Sequence, residues 1–121
     1  MKKIYFAGKW EERKIIRSLM NAIESAGHEI TWDWTGEEEG ADLMKHAVAD
    51  IIGVQSADIY IVLAKRDLDY KGAYCEFGAA LGLNKPVFVI GDAMNSCIFI
   101  HHPLVTTVDF LQEALDIIDE I

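Results

Sequence analysis

The chain has 121 residues, of which 51% are hydrophobic and 10% aromatic, and its formal net charge at pH 7 is -9. This length predicts one domain over 1–121, and the apolar content excludes an intrinsically disordered chain. Because acidic side chains repel phosphate backbones, no nucleic-acid partner is expected.

Cysteine content and hydropathy restrict the cellular setting. Cys75 and Cys97 are too few for a disulfide-stapled domain or a cysteine-based zinc site. The longest apolar runs, 59–64 and 86–90, are far shorter than the roughly 20 residues that span a bilayer. We therefore expect a cytoplasmic protein with no signal peptide and no membrane partner.

The first half of the chain predicts two strands, each followed by a helix. Residues 3–7 form a β-rich run, and apolar residues at helical spacing predict a helix over 10–26. Residues 28–34 alternate and predict a second strand, which is followed by a polar loop over 35–40. The next helix is predicted over 41–56, with one apolar face formed by Leu43, Met44, Ala47, Val48, Ile51 and Val54.

The second half continues the same alternation. The nearly continuous apolar run over 59–64 is typical of a buried parallel strand, and a helix over 70–83 precedes a strand over 87–90. Residues 92–103 give no clear assignment. A fifth strand over 104–108 and a final helix follow; Asp109 is predicted to cap this helix, and Phe110, Leu111, Leu115 and Ile118 to face inward. The pattern predicts an α/β fold, a three-layer α/β/α sandwich with a parallel flavodoxin-like sheet of about five strands.

Ligands of open parallel sheets bind beyond the carboxyl ends of the strands, and Glu76 lies close to one such end. It falls in the first turns of the predicted helix, where the helix dipole favours an ionised carboxylate that could act as a nucleophile. The alternative is an ordinary acid on a solvated helix face. However, its neighbours Tyr74, Cys75 and Phe77 are not typical of such a face.

Three motifs, in this order along nearly the whole chain, are informative together. They are Ile4-Tyr5-Phe6-Ala7-Gly8, the pair Asp50-x7-Asp58, and Gly72-x3-Glu76-x-Gly78-x-Ala80 followed by Lys85-Pro86. With them the chain resembles the nucleoside 2-deoxyribosyltransferase superfamily, which includes the deoxynucleoside-monophosphate N-glycosidases.

The resemblance implies an enzyme that cleaves or transfers at the N-glycosidic bond of a (deoxy)nucleoside or nucleotide. It implies that Glu76 is the nucleophile that forms a glycosyl-enzyme, that Asp50 helps to protonate the departing base, and that Tyr5 lies close to the nucleophile. Gly8 would keep the backbone low beside the sugar, and Gly72 belongs to the nucleophile motif. It also implies a homo-oligomer and no cofactor. An oxocarbenium-like transition state does require one ionised carboxylate and one proton donor.

The chain departs from the family pattern at three positions. Tyr70 stands where the family has an Asp or a Ser that recognises the sugar or its phosphate, so Asp69 is the candidate for hydroxyl binding. Tyr74 replaces a small residue and narrows the expected pocket. Asp50 lies well inside its predicted helix, so its role requires that helix to tilt or to start late.

Other polar and aromatic residues have two interpretations each. Asp33 and Trp34, with Trp32, could stack on a flat base or belong to the core and its rim. Asn95 could touch a ligand or lie in a plain turn. Lys65 and Arg66 are the nearest cations for a phosphate or ordinary surface charges.

Two further segments have weaker functional interpretations. The acidic run Glu37-Glu38-Glu39 is a candidate lid or a solvated loop. His101 and His102 would point to opposite faces of a strand, so no metal is assigned.

Two alternative functions remain open. The Tyr74-Cys75 pair and the Asp69-Tyr70 loop also resemble, more distantly, the bacterial TIR-type domains, which implies an NAD glycohydrolase. The other alternative is a pocket that binds a nucleotide-derived signal without catalysis.

Overall fold

A computed structural model of the chain describes residues 1–38, 40 and 42–121. Glu39, in the acidic loop, and Ala41, at the predicted start of the second helix, lie outside the described residues. The strands are β1 Lys3–Ala7, β2 Glu29–Ile30, β3 Ile59–Leu63, β4 Val87–Ile90 and β5 Val105–Val108. The helices are α1 Arg13–Ser25, α2 Leu43–Ser56, α3 Lys71–Gly82 and α4 Leu111–Ile118, and 3-10 turns span Trp10–Glu12 and Ile98–His101.

The five strands form one parallel sheet in the order β2-β1-β3-β4-β5. Every residue of the central strand β3 is buried, as expected for a strand covered on both faces. One face packs against α1 and α4 through side chains such as Phe6 and Ile61, and the other packs against α2 and α3 through Tyr5 and Tyr60. The predicted three-layer flavodoxin-like fold is confirmed.

The second strand is much shorter than predicted. Only Glu29 and Ile30 pair with β1, at the edge of the sheet, whereas the sequence predicted a strand over 28–34. Beyond them the indole N–H groups of Trp32 and Trp34 donate hydrogen bonds to Asp50 and to the Phe6 carbonyl. The β-forming tryptophans of this segment therefore make tertiary contacts and do not extend the pairing of β2 with β1.

Two helix predictions also need correction. Leu43, Met44 and Val48, on the predicted apolar face of α2, are exposed, and Val54 is the member of that face that is buried. The N-cap residue of α4 is Phe110 rather than Asp109, and the Glu113 carboxylate accepts hydrogen bonds from the backbone N–H groups of both residues. Phe110 is 64% exposed and does not face inward.

The segment 92–103 consists of turns and the 3-10 turn Ile98–His101. Directly after this 3-10 turn, the Leu104 N–H donates a hydrogen bond to the His102 ring. Within the described ranges, no helix is long and apolar enough to cross a membrane. The described histidine, cysteine and acidic side chains form no cluster of three or more suited to a metal ion.

Candidate active site

A pocket of about 270 Å³ lies where the carboxyl end of β1 meets α2 and α3. It contains Glu76 and Asp50, together with Tyr5, Gly8 and Gly72. These five residues come from three separate segments that the parallel topology brings to one edge of the sheet. The structure therefore gathers all three predicted catalytic residues in one pocket.

Glu76 is buried in the second turn of α3, with 9% of its surface exposed. The Tyr5 hydroxyl donates a hydrogen bond of 2.8 Å to Glu76 Oε2. The Tyr5 ring stacks on Tyr60, with 5.9 Å between the ring centroids, and the Tyr60 hydroxyl donates to the Ala73 carbonyl. Buried aromatic packing thus holds the hydroxyl of Tyr5 against the carboxylate.

Asp50 reaches the pocket from the middle of α2. The Trp32 indole N–H donates to Asp50 Oδ1 at 3.1 Å, and the Asp50 side chain lines the same pocket as Glu76. A Cβ on Gly53 would lie 2.8 Å from the Tyr5 ring, so a glycine here allows α2 to pack closely on β1. This close approach places Asp50, one turn earlier, beside Glu76 although it lies well inside its helix.

Burial dominates the protonation of the two carboxyl groups. It raises the pKa of Glu76 to about 8, with the nearby Asp50 charge acting in the same direction and the Tyr5 hydrogen bond against it. Burial also raises the pKa of Asp50, against the opposing effects of Trp32 and His46. The helix dipole predicted an ionised Glu76, but desolvation outweighs it.

The phenol of Tyr5 remains a hydrogen-bond donor in the pocket. Burial and the neighbouring charges of Glu76 and Asp50 raise its pKa far above the ordinary value. Two carboxyl groups and a neutral phenol therefore share one partly enclosed pocket.

Two tryptophans form aromatic walls. The indole N–H of Trp34 donates to the Phe6 carbonyl at 2.8 Å, and the Arg13 guanidinium lies 4.4 Å from the centre of the Trp10 ring. Such faces can stack on a heteroaromatic ring. Sequence reasoning placed Trp34 here but assigned no role to Trp10, although Trp10 follows the carboxyl end of β1.

His46 also lines the pocket, and sequence reasoning missed it. A detectable signal was its position four residues before Asp50, which puts both side chains on one face of α2. Its Nε2 lies 3.8 Å from the carboxylate of Glu37 in the preceding loop.

Three predicted substrate-binding residues, Asp33, Asp69 and Asn95, lie outside this pocket. The carboxylate of Asp33 binds Arg17 at 2.6 Å and the Thr35 backbone N–H at 2.9 Å; burial raises its pKa, but these hydrogen bonds outweigh burial and leave the pKa lowered. Asp69 accepts from the backbone N–H of Lys71.

Asn95 lines a separate cavity of about 570 Å³ at the ends of β4 and β5. Tyr70, at the position of the family's sugar-binding residue, donates its hydroxyl hydrogen bond to the Arg66 carbonyl at 2.7 Å. Neither residue is brought to Glu76 by the fold.

No protein-family model and no curated protein matches the chain. The solved structures that match it include two that cover most of its length. One is a CMP N-glycosidase from Clostridium botulinum, with a TM-score of 0.67 and 20% identity over 98% of each chain. The other is a 2-deoxyribosyltransferase from Bacillus psychrosaccharolyticus, with a TM-score of 0.69 and 19% identity over 93% of this chain and 89% of that chain.

The chain has the fold of these two enzymes. Both belong to the superfamily that the sequence motifs resemble, so the fold implied by that resemblance is confirmed. At this level of identity the likeness establishes the fold, and the chemistry has to be argued from the pocket.

Proposed function

We propose that the chain is an enzyme that cleaves or transfers at the N-glycosidic bond of a nucleoside or nucleotide. The observation that carries this proposal is the convergence of Glu76, Asp50 and Tyr5 in one pocket with aromatic walls. The fold shared with an N-glycosidase and a deoxyribosyltransferase supports it.

In the first step, ionised Glu76 attacks the anomeric carbon while the bond from that carbon to the base breaks. Asp50, in its protonated form, gives its proton to the departing base nitrogen. The products are a free base and a glycosyl ester of Glu76. Tyr5 donates to one oxygen of Glu76 and so orients the carboxylate for attack.

In the second step, water or the nitrogen of another base attacks the anomeric carbon and releases Glu76. Asp50 accepts the proton lost by the attacking group, so the pair returns to its initial state. Water gives hydrolysis and a second base gives transfer. Both outcomes use the same two carboxyl groups.

The pocket suggests where the substrate binds. The flat base would stack on Trp34 and Trp10, which leaves the sugar beside Glu76 and Gly72. A Cβ on Gly8 would clash with Ile16, so this glycine also lets the end of β1 pack tightly on α1. Asp33, Asp69 and Asn95 are not included among the proposed contacts because they lie outside the pocket.

A homo-oligomer is part of the proposal. The outer face of α2 carries five apolar side chains that are each between 39% and 74% exposed: Leu43, Met44, Val48, Ile51 and Ile52. Exposed apolar surface of this kind marks an interface. Since Leu43 also lines the pocket, a second copy packed on α2 would cover the pocket entrance.

The oligomer is tested by light scattering after size-exclusion chromatography. Val48→Glu should shift the mass toward the monomer, because it buries a charge in the interface. Ile98→Glu, at an isoleucine that is 75% exposed outside α2, is the matched control and should leave the mass unchanged. A monomeric wild type would contradict this part of the proposal.

The activity is tested by chromatography of reactions with deoxynucleosides, deoxynucleoside monophosphates and NAD, each with and without free adenine. Glu76→Gln keeps the shape of the side chain and removes the nucleophile, so base release and exchange should fall at least about 10³-fold. Glu29→Gln makes the same chemical change at an exposed position and should retain wild-type rates.

The reacting substrate identifies the activity. Base exchange with adenine indicates a transferase, release from a monophosphate indicates a nucleotide hydrolase, and loss of NAD indicates the TIR-like alternative. Activity that persists in Glu76→Gln would contradict the covalent mechanism. Binding of these compounds without any turnover would favour a non-catalytic signal-binding protein.

A further inference from the structure

A further cavity, of about 320 Å³, lies on the opposite face of the sheet from the Glu76 pocket, between α1, α4 and the ends of β3 and β4. It shares no lining residue with the Glu76 pocket among the residues the structure describes. Its wall is apolar and is formed by Ile15, Leu19, Leu63, Ile90, Phe110 and Leu111. We name it the Glu12 cavity.

One carboxylate interrupts this apolar wall. Glu12, at the end of the 3-10 turn after β1, is only 4% exposed, and its Oε1 is buried without a hydrogen-bond partner in the described structure. The nearby Tyr70 hydroxyl does not serve it, because that hydroxyl donates to the Arg66 carbonyl. A buried carboxyl oxygen without a donor destabilises the free protein, and a ligand donor that binds the Glu12 carboxyl group from the cavity it lines would offset this cost.

The rim of the cavity is cationic and partly apolar. Lys65 and Arg66 line it, and the Lys65 ammonium lies 4.4 Å from the centre of the Phe110 ring. Ile15 and Phe110 are 55% and 64% exposed, so apolar surface next to these charges is left uncovered. Such a surface fits a ligand with an apolar body and an anionic group.

We propose that the Glu12 cavity binds a small amphiphile, with an apolar body, an N–H donor for the Glu12 carboxyl group and an anionic group for Lys65 and Arg66. The three parts of this ligand match the three kinds of surface in the cavity. The site is separate from the Glu76 pocket, and its occupancy does not require the proposed activity.

Indole-3-propionate is a probe with all three parts, and its 1-methyl derivative lacks only the N–H. Calorimetric titration of the full chain should give saturable binding of indole-3-propionate at one site. The 1-methyl derivative should bind about 10- to 100-fold more weakly, because it leaves Glu12 without a donor. Equal affinity of the two probes, or no saturable binding in the millimolar range, would overturn the proposal.

Two variants locate the site. Glu12→Met removes the carboxylate at similar volume; it should weaken binding of indole-3-propionate about 10- to 100-fold and make the two probes bind equally. It should also raise the thermal midpoint of the free protein, since the unpaired oxygen is gone. Glu11→Gln alters the exposed neighbouring carboxylate and should change neither quantity. Unchanged binding in Glu12→Met would place the probe elsewhere and contradict the proposal.

Lys65→Gln tests the anionic group and should weaken binding about 3- to 10-fold. Glu76→Gln should bind the probe as the wild type does, since Glu76 lies in the other pocket. A failure of probe binding at this site can therefore be distinguished from a failure of the proposed enzymatic activity.

Discussion

The hydrogen bond from Tyr5 to Glu76 allows a quantitative test of the proposed chemistry. Tyr5→Phe removes one hydroxyl from a side chain that is 1% exposed and leaves the ring stacked on Tyr60. The lost bond is 2.8 Å long and its acceptor is Glu76 Oε2. The variant therefore changes the carboxylate's environment with little change in packing.

The magnitude follows from the pKa of Glu76. With a pKa of about 8, about one-tenth of the side chain is ionised at pH 7. A buried hydrogen bond to a charged group contributes roughly 1.5–3 kcal/mol, which corresponds to a further rise of about one to two pH units when it is removed. The ionised fraction at pH 7 should then fall about 10- to 100-fold.

The assay is the pH dependence of kcat/KM for base release between pH 5.5 and 10. In the wild type, kcat/KM should rise with pH up to about 8, because the nucleophile has to lose its proton. In Tyr5→Phe this rise should shift to higher pH, and kcat/KM at pH 7 should fall about 10- to 100-fold.

Tyr60→Phe provides the matched control. It removes an equally buried hydroxyl from the stacked partner ring, but that hydroxyl donates to the Ala73 carbonyl. Its pH profile should remain within about threefold of the wild type, with a stability loss of about 1 kcal/mol. A Tyr5→Phe profile that coincides with the wild type would refute the assignment of Glu76 as the ionising nucleophile.

Three further predictions follow from the same site. Because the folded protein holds a proton on Glu76 that the unfolded chain releases above about 4.5, wild-type stability should fall as the pH rises from about 4.5 to about 8. Urea unfolding should show Glu76→Gln gaining on the wild type through this window, by about 5 kcal/mol at most, and a gap independent of pH would contradict the burial argument. Gly53→Ala should lower the free energy of unfolding by about 1–3 kcal/mol, since its Cβ would lie 2.8 Å from the Tyr5 ring; Gly78→Ala, with open space around it, should raise stability by about 0.5–1 kcal/mol. Trp32→Phe removes the donor that lowers the pKa of Asp50. The fall of kcat/KM at high pH, where Asp50 loses the proton that it donates, should therefore move up by about one pH unit. A fall that does not move would show that Asp50 is not the proton donor.

Local patterns in the sequence were enough to predict the order of the elements. Strands β1, β3 and β4 have continuous apolar runs, and α1 has apolar residues at helical spacing, so each element is encoded within its own segment. The motif around Glu76 likewise identified the central carboxylate of the pocket. The length of β2 was not predictable, because its aromatic residues suit either a strand or the tertiary contacts that they make.

The partners of Glu76 depend on packing between distant segments. Tyr5 and Glu76 are 71 positions apart, and their contact exists because parallel strands place β1 and the start of α3 at one edge of the sheet. Asp50 reaches the pocket because Gly53 allows α2 to approach β1 closely. The Asp33 carboxylate instead binds Arg17 of α1, and no local sequence pattern connects these two residues.

The sequence by itself determined an α/β sandwich with Glu76 near a ligand-binding edge, since hydrophobic periodicity and motif spacing are properties of single segments. Only the tertiary structure decided the protonation of that carboxyl group. The helix dipole acts within α3 and favours the anion, but burial between β1, α2 and α3 removes water from Glu76 and raises its pKa to about 8. Desolvation arises from the packing of all three segments together.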